Sequence, residues 1–311
     1  MKKVFKYIFL GFIAIILASC TDEFNDIDNK PIVSGNQISF STKQDNEFDT
    51  KGTELLNADL TNFNIFAYAS TSTISPTTTM ISPSFINNLQ IIGTTTDPNS
   101  WNYSGAYYWP TQDTLIHFYG VSTNEINTIT GFQKGITTWN HPTLGYPSFI
   151  YSTDTNVGSQ KDLVVGQSYN KENSIPSTRV YLEFTHVLTE INFTCKKDGN
   201  AGAPIIVKKI EILNTKTIGK YTFGSQSESW GSWTNLTNNS TLIYWQGTSL
   251  TLSNDADRHI LNTNMMIIPQ GNLTVRVYYG LNTTNTVIKD FTISPTVKGG
   301  KIRYTVNLPR L

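Results

Sequence analysis

The chain has 311 residues, of which 38% are hydrophobic, 12% aromatic and only 15% charged. That balance excludes a coiled coil, a helical bundle and a charged disordered chain. With 23 basic against 23 acidic residues, it also lacks the basic footprint of a nucleic-acid binder. Lys2, Lys3 and Lys6 open the chain, and an apolar run from Ile8 to Leu17 follows, broken only by Gly11. A basic start, a short apolar core and the small pair Ala18-Ser19 make residues 1–19 a secretory signal peptide. The run from Tyr7 to Ala18 falls short of the ~20 apolar residues that a spanning helix needs.

Leu17-Ala18-Ser19-Cys20 resembles a bacterial lipobox, which implies that Cys20 becomes the lipidated first residue. Asp22 and Glu23 follow at once and resemble the surface-export signal of lipoproteins in one Gram-negative phylum. Together these resemblances imply an outer-membrane lipoprotein displayed at the cell surface, held there by acyl chains. Cleavage removes three lysines and leaves 20 basic against 23 acidic residues, a net −3. Residues 20–35 are polar, acidic and aperiodic, as a flexible tether from lipid to fold would be.

Short strands with long polar connections fill the rest. Ile38-Ser39-Phe40 starts a strand, and Phe63, Ile65, Ala67 and Ala69 share one face of a second. Thr71 to Thr79 reads as a loop. Further strands fit Leu89–Ile92, Leu115–Val121 and Phe149–Tyr151, the last two separated by an irregular excursion rich in Gly and Pro. From Val180 a fresh run begins. Leu182, Phe184, His186 and Leu188 alternate, and Ile191, Phe193 and Cys195 continue with a one-residue phase shift of the kind a β-bulge makes. Ile205–Leu213, Lys220–Phe223, Leu242–Trp245, Met265–Ile268, Leu273–Tyr279, Val287–Ile293 and Lys301–Leu308 complete the series. The pattern is all-β and predicts two tandem β-sandwiches, residues 36–175 and 176–311, divided at the polar Asn170–Ser174 stretch.

Chemistry-bearing patterns are absent. His117, His141, His186 and His259 have no zinc-ligand spacing, and no phosphate loop, dinucleotide fingerprint or nucleophile elbow occurs. No cofactor and no metal are expected; Asp255 and Asp257 lie in a polar loop without a full calcium ligand set. With Cys20 lipidated, Cys195 has no partner and reads as a buried apolar thiol. His186 reads as a hydrogen-bonded structural histidine. Trp101, Tyr103, Tyr107, Tyr108 and Trp109 crowd one segment, and Trp230, Trp233 and Trp245 another. Such rings fill sandwich cores, or stack on sugars when exposed.

Several stretches together resemble the fimbrillin-like lipoproteins that build type V pili, the FimA-like and Mfa-like group. Tyr107-Tyr-Trp-Pro110 precedes Leu115-Ile-His-Phe-Tyr-Gly-Val121, and Lys161-Asp-Leu-Val-Val165 follows. Phe184-x-His186-x-Leu188-x-x-Ile191-x-Phe193 resembles the family's central signature, and Met266–Gln270 and Gly300–Leu308 its closing segments. The resemblance implies two transthyretin-like sandwiches and a structural or adhesive subunit of a fimbria, whether shaft, anchor or tip, and not an enzyme. It implies other fimbrial subunits as partners, the outer membrane through the lipid, and a host glycan or protein receptor. It implies assembly by donor-strand exchange, in which a protease removes the first strand and a neighbour's strand fills the groove. Lys51, in Asp49-Thr-Lys-Gly-Thr53, is the candidate cleavage residue, and Ile38 and Phe40 mark the candidate exchangeable strand. The alternating Ile302–Leu308 strand is the candidate donor. The alternative reading is a surface glycan-binding lipoprotein for nutrient capture, which calls for an exposed, coplanar tryptophan pair.

Overall fold

The computed structural model describes residues 37–44, 60–94, 97–110, 113–123, 134–172, 179–199, 202–225, 230–254, 258–259 and 264–311. The signal peptide, Cys20, the tether, Lys51 and the Asp255–Asp257 stretch lie outside these residues. The described strands are, in order, β1 (Phe40–Gln44), β2 (Asn62–Ser70), β3 (Ser82–Thr94), β4 (Asp97–Asn102), β5 (Leu115–Ser122) and β6 (Ile136–Asn140). Then come β7 (Ser148–Ser152), one 3-10 turn (Val157–Ser159), β8 (Val164–Lys171), β9 (Val180–His186), β10 (Thr189–Lys197) and β11 (Ile205–Phe223). The last six are β12 (Gly231–Leu252), β13 (Arg258–His259), β14 (Met265–Ile267), β15 (Leu273–Gly280), β16 (Val287–Ile293) and β17 (Lys301–Leu308). The chain is all-β, as its composition predicts.

Three sheets pack as β-sandwiches. The first runs β1-β9-β8-β5-β2-β3-β4. The second runs β16-β15-β11-β7-β6, with β12 also paired to β11. In the third, β10 pairs with β13, β14 and β17. Hydrophobic periodicity explains how they stack. β2 and β5 are buried on both faces. Phe63, Ile65 and Ala67 enter one core with Phe118, Phe184, Trp101 and Trp109. Phe66 and Tyr68 turn to the opposite side and meet Tyr119, Trp139, Phe149, Tyr221 and Phe223 in a second core. A third core joins Ile191, Phe193 and Cys195 to Ile210, Val275, Val306 and Leu308.

The phase shift near Leu188 is not a bulge. Val187 and Leu188 are both buried, and between them the chain leaves the first sheet as β9 and enters the third as β10. Consequently Val180–His186, the opening run of the later half, is a member of the first sheet, hydrogen-bonded to β8 and β1. β11 crosses another division. Its residues Ile206–Leu213 pair with β15, and Ile218–Thr222 pair with β7.

Candidate functional site

The candidate site is β1 and the slots it fills. β1 pairs in parallel with β9, from Phe40 opposite Val180 to Gln44 opposite Phe184. Ahead of it, Ile38 N–H donates to Tyr107 O at 2.8 Å, and Val180 N–H donates to Ser39 O at 2.7 Å. Gln37 bridges to Tyr108, so the start of this strand closes the gap toward the far end of the same sheet. Tyr103 Oη donates to Ile38 O at 2.5 Å and accepts from Gln37 Nε2 at 3.2 Å. Burial raises the Tyr103 phenol above its usual value, so it stays a protonated donor at any physiological pH. Ile38 and Phe40 are 1% and 2% exposed. The Phe40 ring stands edge-on to Tyr103 and Phe118, with centroids 5.7 and 5.8 Å apart. The alternation in Ile38-Ser-Phe40 therefore places both apolar side chains inward, with the ladder proper starting at Phe40.

The candidate donor is in use within its own chain. β17 pairs in parallel with β10 over eight positions, Lys301 opposite Glu190 to Leu308 opposite Lys197. Cross-strand pairs hold the register: Lys301 Nζ lies 3.0 Å from Glu190 Oε1, and the Tyr304 and Phe193 rings stack at 5.9 Å. Val306 and Leu308 are buried in the third core.

The remaining candidates resolve into packing. Asp162 and His186 form a buried pair, with Nδ1–H donating to Oδ2 at 2.5 Å. Leu163 N–H donates to the other carboxylate oxygen at 2.8 Å. The Asp-Leu and Phe-x-His segments, 24 positions apart, are thus one hydrogen-bonded unit. Burial pushes the Cys195 thiol up to about 12, and at 0% exposure it is a core residue. Trp101, Trp109 and Trp139 are buried, and Phe66 and Trp139 stack at 3.7 Å. Trp233 donates Nε1–H to Val187 O at 2.7 Å, and Trp245 packs on the third core. No exposed, coplanar tryptophan pair occurs among the described residues. No group of three metal-ligating side chains occurs among them either.

The profile of the fimbrillin-like family matches residues 26–311. The chain belongs to the fimbrillin-like family. It is similar to the fimbrium subunit Fim1C of Phocaeicola vulgatus, 26% identical over 198 residues, covering 59% of this chain. That match spans 52% of Fim1C, about half its length. In fold it is similar to a fimbrial protein from Bacteroides vulgatus, with a TM-score of 0.63 at 20% identity, covering 88% of this chain and 95% of that one. Within this fimbrillin-like chain the signature residues acquire physical roles. Phe184 and Ile191 enter different cores, while His186 ties the end of β9 to Asp162.

Proposed function

We propose that the chain is a subunit of a cell-surface fimbria, carried to the outer membrane by lipid on Cys20 and assembled by exchange of β1. One observation carries the assembly step: β1 is a five-residue parallel strand at a sheet end, yet Ile38 and Phe40 fill core slots. Removing it strips the β1-facing edge of Val180–Phe184 of its ladder partners and opens two apolar slots. An uncovered groove of that kind recruits a strand. The replacement is a neighbour's extended segment with apolar residues two positions apart. β17 supplies such alternation, but its release would break eight ladder positions and expose Val306 and Leu308. A separate segment of a neighbouring subunit is therefore the better donor.

Two tandem sandwiches remain the proposed domain plan, with β9 assigned to the first. A structural role without turnover is part of the same reading; the burial of Cys195 and His186 in the packed interior supports it. A host receptor, glycan or protein, would be met at the assembled surface. Membrane partition with Cys20→Ala tests the anchor: wild type stays in the outer-membrane fraction and the variant leaves it. Limited trypsin treatment of the delipidated protein, followed by mass spectrometry and sizing, tests the exchange. Cleavage at Lys43 or Lys51 with loss of residues 37–40 and appearance of polymer is expected. A chain intact at both lysines, or cut there and still monomeric at high concentration, overturns it and leaves an anchor or tip role.

A further inference from the structure

We infer that the groove above β8 and β9, walled by Trp230, is a saccharide site that takes one or two neutral sugar rings. Its floor is the β8–β9 end of the first-sheet face that carries Tyr119 and Val165 into the second core. Gln167 on β8 sits directly opposite Glu183 on β9, and Tyr181 lies two positions before Glu183 on the same face. Val180, Leu182 and Phe184 point the other way into the core that holds Ile38 and Phe40. The groove is thus separate from the exchange slots. Tyr169 and Lys171 from β8 and Trp230 from the β11–β12 connection complete a cavity of about 340 Å³. Small-ligand pockets run from ~300 to ~1,000 Å³, so this one fits a ligand of sugar size.

The wall is built, not incidental. Trp230 has φ 67°, a left-handed conformation that a bulky side chain rarely adopts. Three bonds hold it there. Tyr221 Oη donates to Trp230 O at 2.9 Å, Gly224 N–H donates to Trp230 O at 3.2 Å, and Trp230 N–H donates to Ser225 O at 3.2 Å. Gly231 follows with φ 132°, where an added Cβ would stand 2.3 Å from Thr222 O. Floor and wall are joined by Gln167 Nε2, which donates to Gly224 O at 3.0 Å. Strain kept by surrounding bonds at a cavity wall marks a functional position. Gln167 is 3% exposed and its Oε1 has no hydrogen-bond partner. A buried acceptor without a donor asks for an explanation, and Gln167 is among the residues that line this cavity.

The chemistry of the lining selects the ligand class. Tyr181, 62% exposed, offers an apolar ring to solvent, and Trp230 and Tyr169 add two more. Ring faces of this kind cover the C–H face of a pyranose. Between them stand acceptors for hydroxyl groups, the Glu183 carboxylate and the Gln167 carbonyl, and donors, the Lys171 ammonium among them. One carboxylate and one ammonium offset each other, which favours a neutral sugar over a charged one.

The test uses the mature chain with Cys20→Ser and four probes: the methyl glycosides of glucose, galactose, mannose and N-acetylglucosamine. Each is presented at about 10 mM, above a ~1 mM dissociation constant. Saturation-transfer NMR and tryptophan fluorescence report binding, and circular dichroism verifies folding. At least one glycoside should bind, and Tyr181→Ala and Glu183→Gln should each weaken it about tenfold while the far-ultraviolet spectrum is unchanged. Failure of all four to bind overturns the inference. So does binding by Tyr181→Ala and Glu183→Gln equal to wild type. The two tests are read separately, because the described residues that line this groove come from β8, β9 and the β11–β12 connection, whereas the exchange test reads the slots of Ile38 and Phe40 on the opposite face.

Discussion

His117 is held neutral by its bonding pattern. Ser70 Oγ donates to Ser72 O at 2.5 Å, so it accepts from His117 Nε2–H at 2.7 Å. Asn170 N–H donates to Nδ1 at 3.1 Å. Both ring nitrogens are used, and a second proton would have to displace Asn170. Burial pushes the imidazole down from 6.5 to about 4. The folded value lies below the unfolded one, so the unfolded chain binds more protons between those limits. The stabilisation is complete above pH 6.5 and is lost as pH falls toward 4, by at most about 3 kcal/mol. Urea midpoints measured from pH 7 to pH 4 should fall, and His117→Gln should flatten that slope; an equal slope in the variant contradicts the assignment. The Asp162–His186 pair is another buried polar unit. Removing one partner of such a pair costs roughly 3–5 kcal/mol. Asp162→Ala should lower the urea midpoint accordingly at pH 7, and a shift within error of zero would refute a structural role. The sequence marks His186 by its apolar neighbours. Its partner is not legible, because a separation of 24 residues carries no periodic signal.

Strands differ in how openly the sequence announces them, and burial explains the difference. β15, β16 and β17 stand out from turn-flanked runs, with strict alternation in β15 and β17 where one face is covered. β6 escapes notice because only Ile136 and Trp139 are buried, three positions apart, across a register shift. β8 has its first five residues buried in a row, Val-Val-Gly-Gln-Ser, so no period of two appears. β11 reads as two strands because Asn214 has φ 57° and its pairing with β12 slips at four places. The outer half of β12, rich in Thr and Asn, is largely exposed and reads as a loop. Inside the first sheet, one contact fixes a residue type. An added Cβ at Gly166 would lie 2.7 Å from the Phe184 ring. That ring is a fixed part of the core, so overpacking of about 1–3 kcal/mol follows. Gly166→Ala should lose that much in a denaturant titration, and adding Phe184→Leu should recover part of it. A Gly166→Ala chain as stable as wild type would show that the ring moves freely aside.

The whole fold is tied together at the second core, which decides how the molecule comes apart. Phe66, Tyr119 and Trp139 from the earlier half share it with Tyr221, Phe223, Met266 and Ile268 from the later half. β11 reinforces the tie, because one continuous strand pairs with β7 at one end and β15 at the other. A cut between residues 175 and 176 would take β9 from between β1 and β8 and leave β1 without its ladder. It would also separate β7 from β11. Apolar area that is shared in this way stabilises neither half alone. Unfolding of the mature chain should therefore be one transition. Tryptophan fluorescence and far-ultraviolet circular dichroism report different parts of the molecule, since Trp101, Trp139 and Trp245 sit in or against three different cores. Their urea curves should superimpose. Residues 36–175 and 176–311 expressed separately should show neither dispersed amide spectra nor cooperative melting. Two resolved transitions, or a folded and cooperatively melting 176–311 fragment, would show that the sandwiches are independent and that the second core is a docking surface between them.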